Sequence, residues 1–240
     1  MIKRCVCVLA ALAAAGAVHA ASDQLRMIAP LNHAMPLASF EGDRLSGGIL
    51  KDLGEAIAHR LKRRPVFVTV AGDQVAAALS AGKADGICYV RPFWIDGQFD
   101  WSRPLLPDSE LIASHPDMPV LRSLLDLRDR PVGTVTGYRY PRVEQVLGLR
   151  FRRIDAPTME QNLRNVMQGD ARYTVIVQST LAYQLKVNKS LKLRPDLKVA
   201  SFTAQCAFSR RAAVPFAEVD AAINALIDDG SVQHILARYR

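Results

Sequence analysis

Short apolar runs alternate with amphipathic helical stretches twice along this chain, and that alternation restricts the fold more than any other property of the sequence. Leu25–Ala29 reads as a strand. Gly48–Arg63 reads as a helix with Ile49, Leu50, Leu53, Ile57 and Leu61 on one stripe, and Pro65 ends it. Val66–Val70 is the next strand, followed by a helix that Asp73 caps and Gly82 ends, and then by a strand over Gly86–Val90. Residues 91–110 contain three prolines and both tryptophans without periodicity, which reads as a long functional loop. A short strand at Leu111–Ser114 and a helical turn at Ser123–Leu127 lead into a second series: strand Val132–Val135, helix Pro141–Leu147, strand Phe151–Ile154, a helix opened by a capping box at Thr158 and Gln161, strand Tyr173–Val177, and a helix over Thr180–Lys189. Strands at Lys198–Phe202 and Cys206–Ser209 precede a helix from Pro215 to Ile227 and a last one capped by Ser231. Such alternation predicts an α/β fold with mostly parallel sheets, and two series predict two lobes with the ligand at the carboxyl ends of the strands between them.

The amino terminus has the layout of a secretory signal peptide. Lys3 and Arg4 precede an apolar run over Cys5–Val18, and Val18 and Ala20 supply small residues for cleavage after Ala20. The run is too short to span a bilayer, so residues 1–20 are expected to be a cleaved leader and the mature chain periplasmic. The chain carries 31 basic and 23 acidic side chains, a net charge of +8; loss of the leader reduces it to +6. Export and the absence of aromatic residues interleaved with the basic ones argue against nucleic acid as a partner. His33, His59, His115 and His234 are far apart, so no metal or other cofactor is expected. Cys88 and Cys206 remain after cleavage and, in an oxidising compartment, form a disulfide candidate.

Several segments, in order, resemble the family 3 extracytoplasmic solute-binding proteins that serve amino-acid ABC importers. Pro36-Leu37 is similar to the family's turn after the first strand. Gly48, Asp52, Leu53 and Ile57 fall where its first helix has Gly, Asp-Leu and Ile. Leu79, Gly82, Asp85 and Ile87 are similar to its Leu-x-x-Gly-x-x-Asp-x-Ile segment, and Asp100-Trp101-Ser102 with Pro104 to its Asp-Phe-Ser-x-Pro. Leu124, Asp126-Leu127, Val132-Gly133 and Gly137 complete the series. The resemblance covers residues 24–240 and implies a periplasmic-binding-protein-like II fold of two α/β lobes: residues 22–112 and 204–240 in lobe 1, residues 113–203 in lobe 2, joined by a two-segment hinge. It also implies that the strands bearing Cys88 and Cys206 are neighbours, hence a Cys88–Cys206 disulfide.

The resemblance leaves gaps at the ligand residues. Where the family carries an arginine for the ligand α-carboxylate this chain has Ile95 and Asp96, with Arg91 the nearest substitute. Where the family has an aspartate for the α-ammonium, this chain has Val177, Gln178 and Ser179. The first-lobe aromatic that stacks on the ligand is replaced by Ala34 or Met35. The remaining candidates are Arg139 and Tyr138 at a strand-to-helix turn and Trp94 in the Pro-rich loop, so the expected ligand set is Arg91, Arg139, Tyr138, Gln178, Trp94 and Asp96. Two arginines favour a small polar or anionic solute, an amino acid or related organic acid. The resemblance implies a monomer that hands its solute to an ABC permease, with no catalysis. Two alternatives stand beside that reading: an accessory protein with a degenerate cleft that docks to another periplasmic protein, and an enzyme similar to cyclohexadienyl dehydratases, whose proton donor would be Asp96, Glu110 or Asp155.

Overall fold

A computed structural model describes residues 23–240; the expected leader and its cleavage site lie outside the described residues. The elements are β1 (Gln24–Pro30), β2 (Ser39–Glu41), β3 (Arg44–Gly47), α1 (Ile49–Arg60), β4 (Arg64–Val70), α2 (Val75–Ser80), β5 (Gly86–Val90), β6 (Phe99–Trp101), β7 (Leu106–Ser114), β8 (Pro131–Val135), α3 (Pro141–Leu147), β9 (Arg152–Ala156), α4 (Met159–Gln168), β10 (Tyr173–Val177), α5 (Gln178–Val187), β11 (Arg194–Ser209), α6 (Phe216–Asp228) and α7 (Ser231–Ala237). Short 3₁₀ turns lie at Gly72–Gln74, Leu124–Leu127 and Gly148–Arg150.

The strands form a curled mixed sheet in the order β4-β1-β5-β11-β7-β10-β8-β9, with β6 also on β11. Its two ends are parallel, as the alternation predicts: β1 pairs with β4 and β5, and β8 with β9 and β10. The middle is not. β7 and β11 run antiparallel from Leu106↔Ala204 to Ser114↔Arg194. The apolar cores divide on either side of this pair. One set of buried side chains comes from residues 25–106 and 202–235, including Leu25, Leu53, Ile57, Phe208 and Ile223. The other comes from residues 111–193 and includes Ile112, Val132, Val166, Tyr173 and Ile176, with Ala34 the single visitor from the first set's half of the chain. Each fully buried Leu or Ile stabilises its lobe by roughly 2 kcal/mol relative to exposure. The chain passes from the first lobe to the second along β7 and returns along β11, so these two strands are the connection between lobes.

The longest departure from expectation is β11. It is one strand of 16 residues, not two, with an irregularity in its pairing to β5 at Gln205/Cys206. The period-2 pattern changes phase there because the strand passes from one lobe's sheet to the other's. The loop expected over 91–110 contains β6 and the start of β7; three residues are too few to show a period. The β2–β3 hairpin also escapes periodicity for that reason. Several caps differ as well. Asp73 lies inside a 3₁₀ turn and caps no helix through its side chain. The cap of α7 is Gly230 in the left-handed conformation, not Ser231. Thr158 accepts from Gln161 N at 3.1 Å, but the Gln161 amide turns to Asn165, so only half of the capping box forms. The last helix of the second lobe starts at Gln178, two residues early.

Two tethers hold the first lobe together. Cys88 on β5 faces Cys206 on β11, and the two are bonded. Asp85, fully buried, accepts from Arg26 N, Nε and Nη2 and from Ala213 N. Burial alone would raise its carboxyl; the Arg26 guanidinium and these N–H groups hold it below the usual range. Among the described residues no helix is long and apolar enough to cross a membrane.

Candidate ligand-binding cleft

The carboxyl ends of strands from both lobes converge on one cavity of about 100 Å³. From the first lobe, Asn32, His33 and Ala34 follow β1, Tyr89 and Val90 end β5, and Trp94 and Ile95 follow it. From the second lobe, Gly137, Tyr138 and Arg139 follow β8, Val175–Val177 end β10, and Thr180 opens the first turn of α5. Glu110 enters from β7, the connecting strand. Apart from Glu110, Asn32, His33, Thr180 and Arg139, the walls are aliphatic, glycine or aromatic.

The lobes touch around this cavity. Asn32 Nδ2 donates to Thr136 O at 2.9 Å, and Met159 N donates to Asn32 O at 3.1 Å. His33 Nδ1 and the Tyr138 hydroxyl share a short hydrogen bond. At the rim Arg139 Nη1 donates to Asp96 Oδ1 at 3.0 Å and to Phe93 O at 3.3 Å, and Nη2 donates to Asp96 Oδ2. Gln184 Nε2 donates to Met35 O at 3.1 Å. Gly137 comes so near the facing loop that a Cβ on it would lie 2.6 Å from Asp73 N and Gly72 C; its φ of +83° is also one that glycine alone adopts easily. At the floor Asp108 of β7 accepts from Tyr89 OH at 2.6 Å and from Ser179 Oγ at 2.5 Å, linking both lobes to the connecting strand.

Burial shapes the ionisation of the lining. It pushes the Glu110 carboxyl up to about 7, with Glu144 adding to the rise and Arg91 opposing it. It pushes His33 down to about 4, so this imidazole is neutral at pH 7. The Tyr89 hydroxyl is raised by burial and by the negative Asp108, and that of Tyr138 mainly by burial. The cavity therefore contains one carboxyl that changes charge near neutral pH among groups that do not.

The residues singled out from the sequence are only partly brought together. Trp94, Tyr138 and Arg139 line the cavity. Asp96 does not line it; it pairs with Arg139 across the rim. Arg91 stands outside the lining, with its guanidinium carbon 5.6 Å from the Trp94 ring centre and 5.5 Å from that of Phe202. Gln178 is exposed and faces a separate surface depression with Leu181 and Pro195, because α5 begins at this residue and turns it outward. Asn32, His33 and Tyr89 were not anticipated. Asn32 and His33 sit just past the carboxyl end of the first strand, the place where this topology puts ligand residues.

No protein-family model and no curated protein matches this sequence. Solved structures do match the fold. An ancestral arginine-binding protein bound to arginine superposes with a TM-score of 0.77 at 19% identity, covering 91% of this chain and 99% of that one. The ancestral amino acid-binding protein AncCDT-1, a precursor of cyclohexadienyl dehydratase, gives 0.76 at 18% identity, covering 90% and 95%. The periplasmic VFT2 domain of Bordetella pertussis BvgS gives 0.74 at 19% identity, covering 91% and 94%. The chain thus has the two-lobe α/β fold of periplasmic binding proteins.

Proposed function

We propose that this protein is a periplasmic solute-binding protein whose lobes close over one small solute and present it to an ABC permease. The observation that carries the reading is the cavity lined by strand ends of both lobes, with Arg139 and Asp96 paired across its rim. Its walls favour a solute with a mainly apolar body and one polar group. Arg139 is already paired and Arg91 is engaged over two rings, so the support for an anionic solute is weak. The resemblance of the sequence to importer-associated proteins supports the permease as partner.

A thermal-shift screen of the mature chain tests the reading, with amines, alcohols, amino acids and short organic acids as the panel. A solute at 100 times its Kd stabilises by about 2.7 kcal/mol, a Tm rise of roughly 5 to 11 °C for a chain of this size. A folded protein that no member of the panel shifts counts against it. An elimination enzyme on the same fold is the second reading, favoured by one observation: Glu110 is a proton donor poised near pH 7 inside the cleft. Consumption of a bound solute, followed by mass spectrometry, separates the two.

A further inference from the structure

The wall of the cleft carries one carboxyl with nothing to accept from. Glu110 lines the cavity, and its carboxyl makes no hydrogen bond or ion pair with any described residue. Asn32 lines the same cavity, but its Nδ2 is used by Thr136 O and its Oδ1 is buried against Gly72, away from the open space. The Glu110 side chain is half-buried, and a carboxylate among apolar walls is costly unless something donates to it. Around it stand the rings of Tyr89, Trp94, Tyr138 and Tyr140. Aromatic faces and a carboxylate both attract positive charge, and an apolar wall suits the carbon body of an amine.

The charged groups near Glu110 do not supply the missing donor. Arg91, beyond the end of β5, lowers its carboxyl through space, but its guanidinium lies over Trp94 and Phe202 and outside the lining. Glu144 on α3 is a second acid that raises it. The Tyr140 hydroxyl oxygen accepts from Val135 N at 3.0 Å, and its own proton makes no hydrogen bond to Glu110. On the neighbouring strands Glu110 faces Val177 of β10 and Ala200 of β11, neither of which ionises.

We infer that Glu110 receives the ammonium group of a small organic amine whose hydrocarbon part fills the aromatic and aliphatic remainder of the cavity. This deepens the proposed solute-binding role and rests on it. Size limits the amine. A dry cavity of about 150 Å³ accepts a benzene-sized guest, and this one encloses about 100 Å³, so the ligand has on the order of five non-hydrogen atoms. The free carboxyl is half-protonated at pH 7; an ammonium at its side draws it to the carboxylate, so binding releases a proton below that pH.

The test uses three probes of nearly equal shape on the mature protein: isobutylammonium, isobutanol and isobutyrate, each titrated calorimetrically at pH 6, 7 and 8. The expected result is one isobutylammonium per chain, tighter than either isostere. Its affinity should rise by roughly fivefold from pH 6 to 7 and by about twofold more from pH 7 to 8. Glu110→Gln, checked for folding by circular dichroism, should weaken the amine by at least tenfold and isobutanol by far less. Tighter binding of isobutanol overturns the amine and leaves the solute-binding role standing. Tighter binding of isobutyrate, an amine affinity that falls with rising pH, or an amine that ignores Glu110→Gln overturns it equally. Failure of all three probes overturns the ligand class, and the broader panel then decides the role.

Discussion

Replacing Glu110 by glutamine is expected to stabilise the ligand-free protein, and to do so only above acid pH. The folded-state value is about 7 against an ordinary 4.5. A carboxyl raised in this way contributes stability that is fully present below 4.5 and is lost as pH rises through 7. At about 1.36 kcal/mol for each tenfold change, the loss reaches about 3 kcal/mol by pH 8. Glutamine keeps the shape and cannot ionise, so Glu110→Gln escapes the loss. Its Tm advantage over wild type should grow by roughly 6 to 12 °C between pH 4 and pH 8, at about 2 to 4 °C per kcal/mol for this size. Differential scanning calorimetry of both proteins at matched ionic strength measures it. His33 titrates in both and drops out of the difference. An offset that is the same at pH 4 and pH 8 would refute the claim that Glu110 is held in a site hostile to its charge.

Further outcomes follow from the contacts between and within the lobes. Gly137→Ala places a methyl group against Gly72 and Asp73, so it should hold the lobes apart: scattering should give a larger radius of gyration and titration a weaker solute affinity, with Tm lowered by the strain of alanine at a positive φ. Reducing the Cys88–Cys206 bond, or replacing both cysteines by alanine, frees a loop of 118 residues and should cost about 4 to 5 kcal/mol in urea unfolding on the chain-entropy account. His33, held at about 4 by burial, contributes stability that is present above 6.5 and is lost as pH falls through 4; His33→Gln should flatten the acid limb of the stability curve between those values. Arg139→Ala should weaken solute binding, and added salt should reproduce part of the effect in the wild type, because the Asp96 pair is exposed.

The lobes were legible because each depends on local patterns: Ile49, Leu53 and Ile57 repeat at helical spacing, and Val132–Val135 and Tyr173–Val177 are apolar runs bounded by turns. The disulfide was legible through the family resemblance, which set β5 beside β11. The connection between lobes was harder to read. β11 changes phase where it crosses from one sheet to the other, and no local period extends through such a point. The site was legible in part. Trp94, Tyr138 and Arg139 flank strand ends and could be placed there, whereas Gln178 depends on where α5 starts, and two residues of difference turn it to the surface. Glu110 lies within a strand, where its charge reads as an outward-facing residue; its role depends on the neighbouring lobe closing over it, which sequence spacing does not encode.

Closure over a single solute is the claim on which the rest depends, and small-angle X-ray scattering with a co-titrated solute tests it most directly. The account predicts that the radius of gyration falls as the best solute from the screen is added, saturates at one solute per chain, and does not fall in Gly137→Ala. A solute that binds tightly while the scattering of wild type and Gly137→Ala stays the same, with or without it, would contradict a cleft that closes.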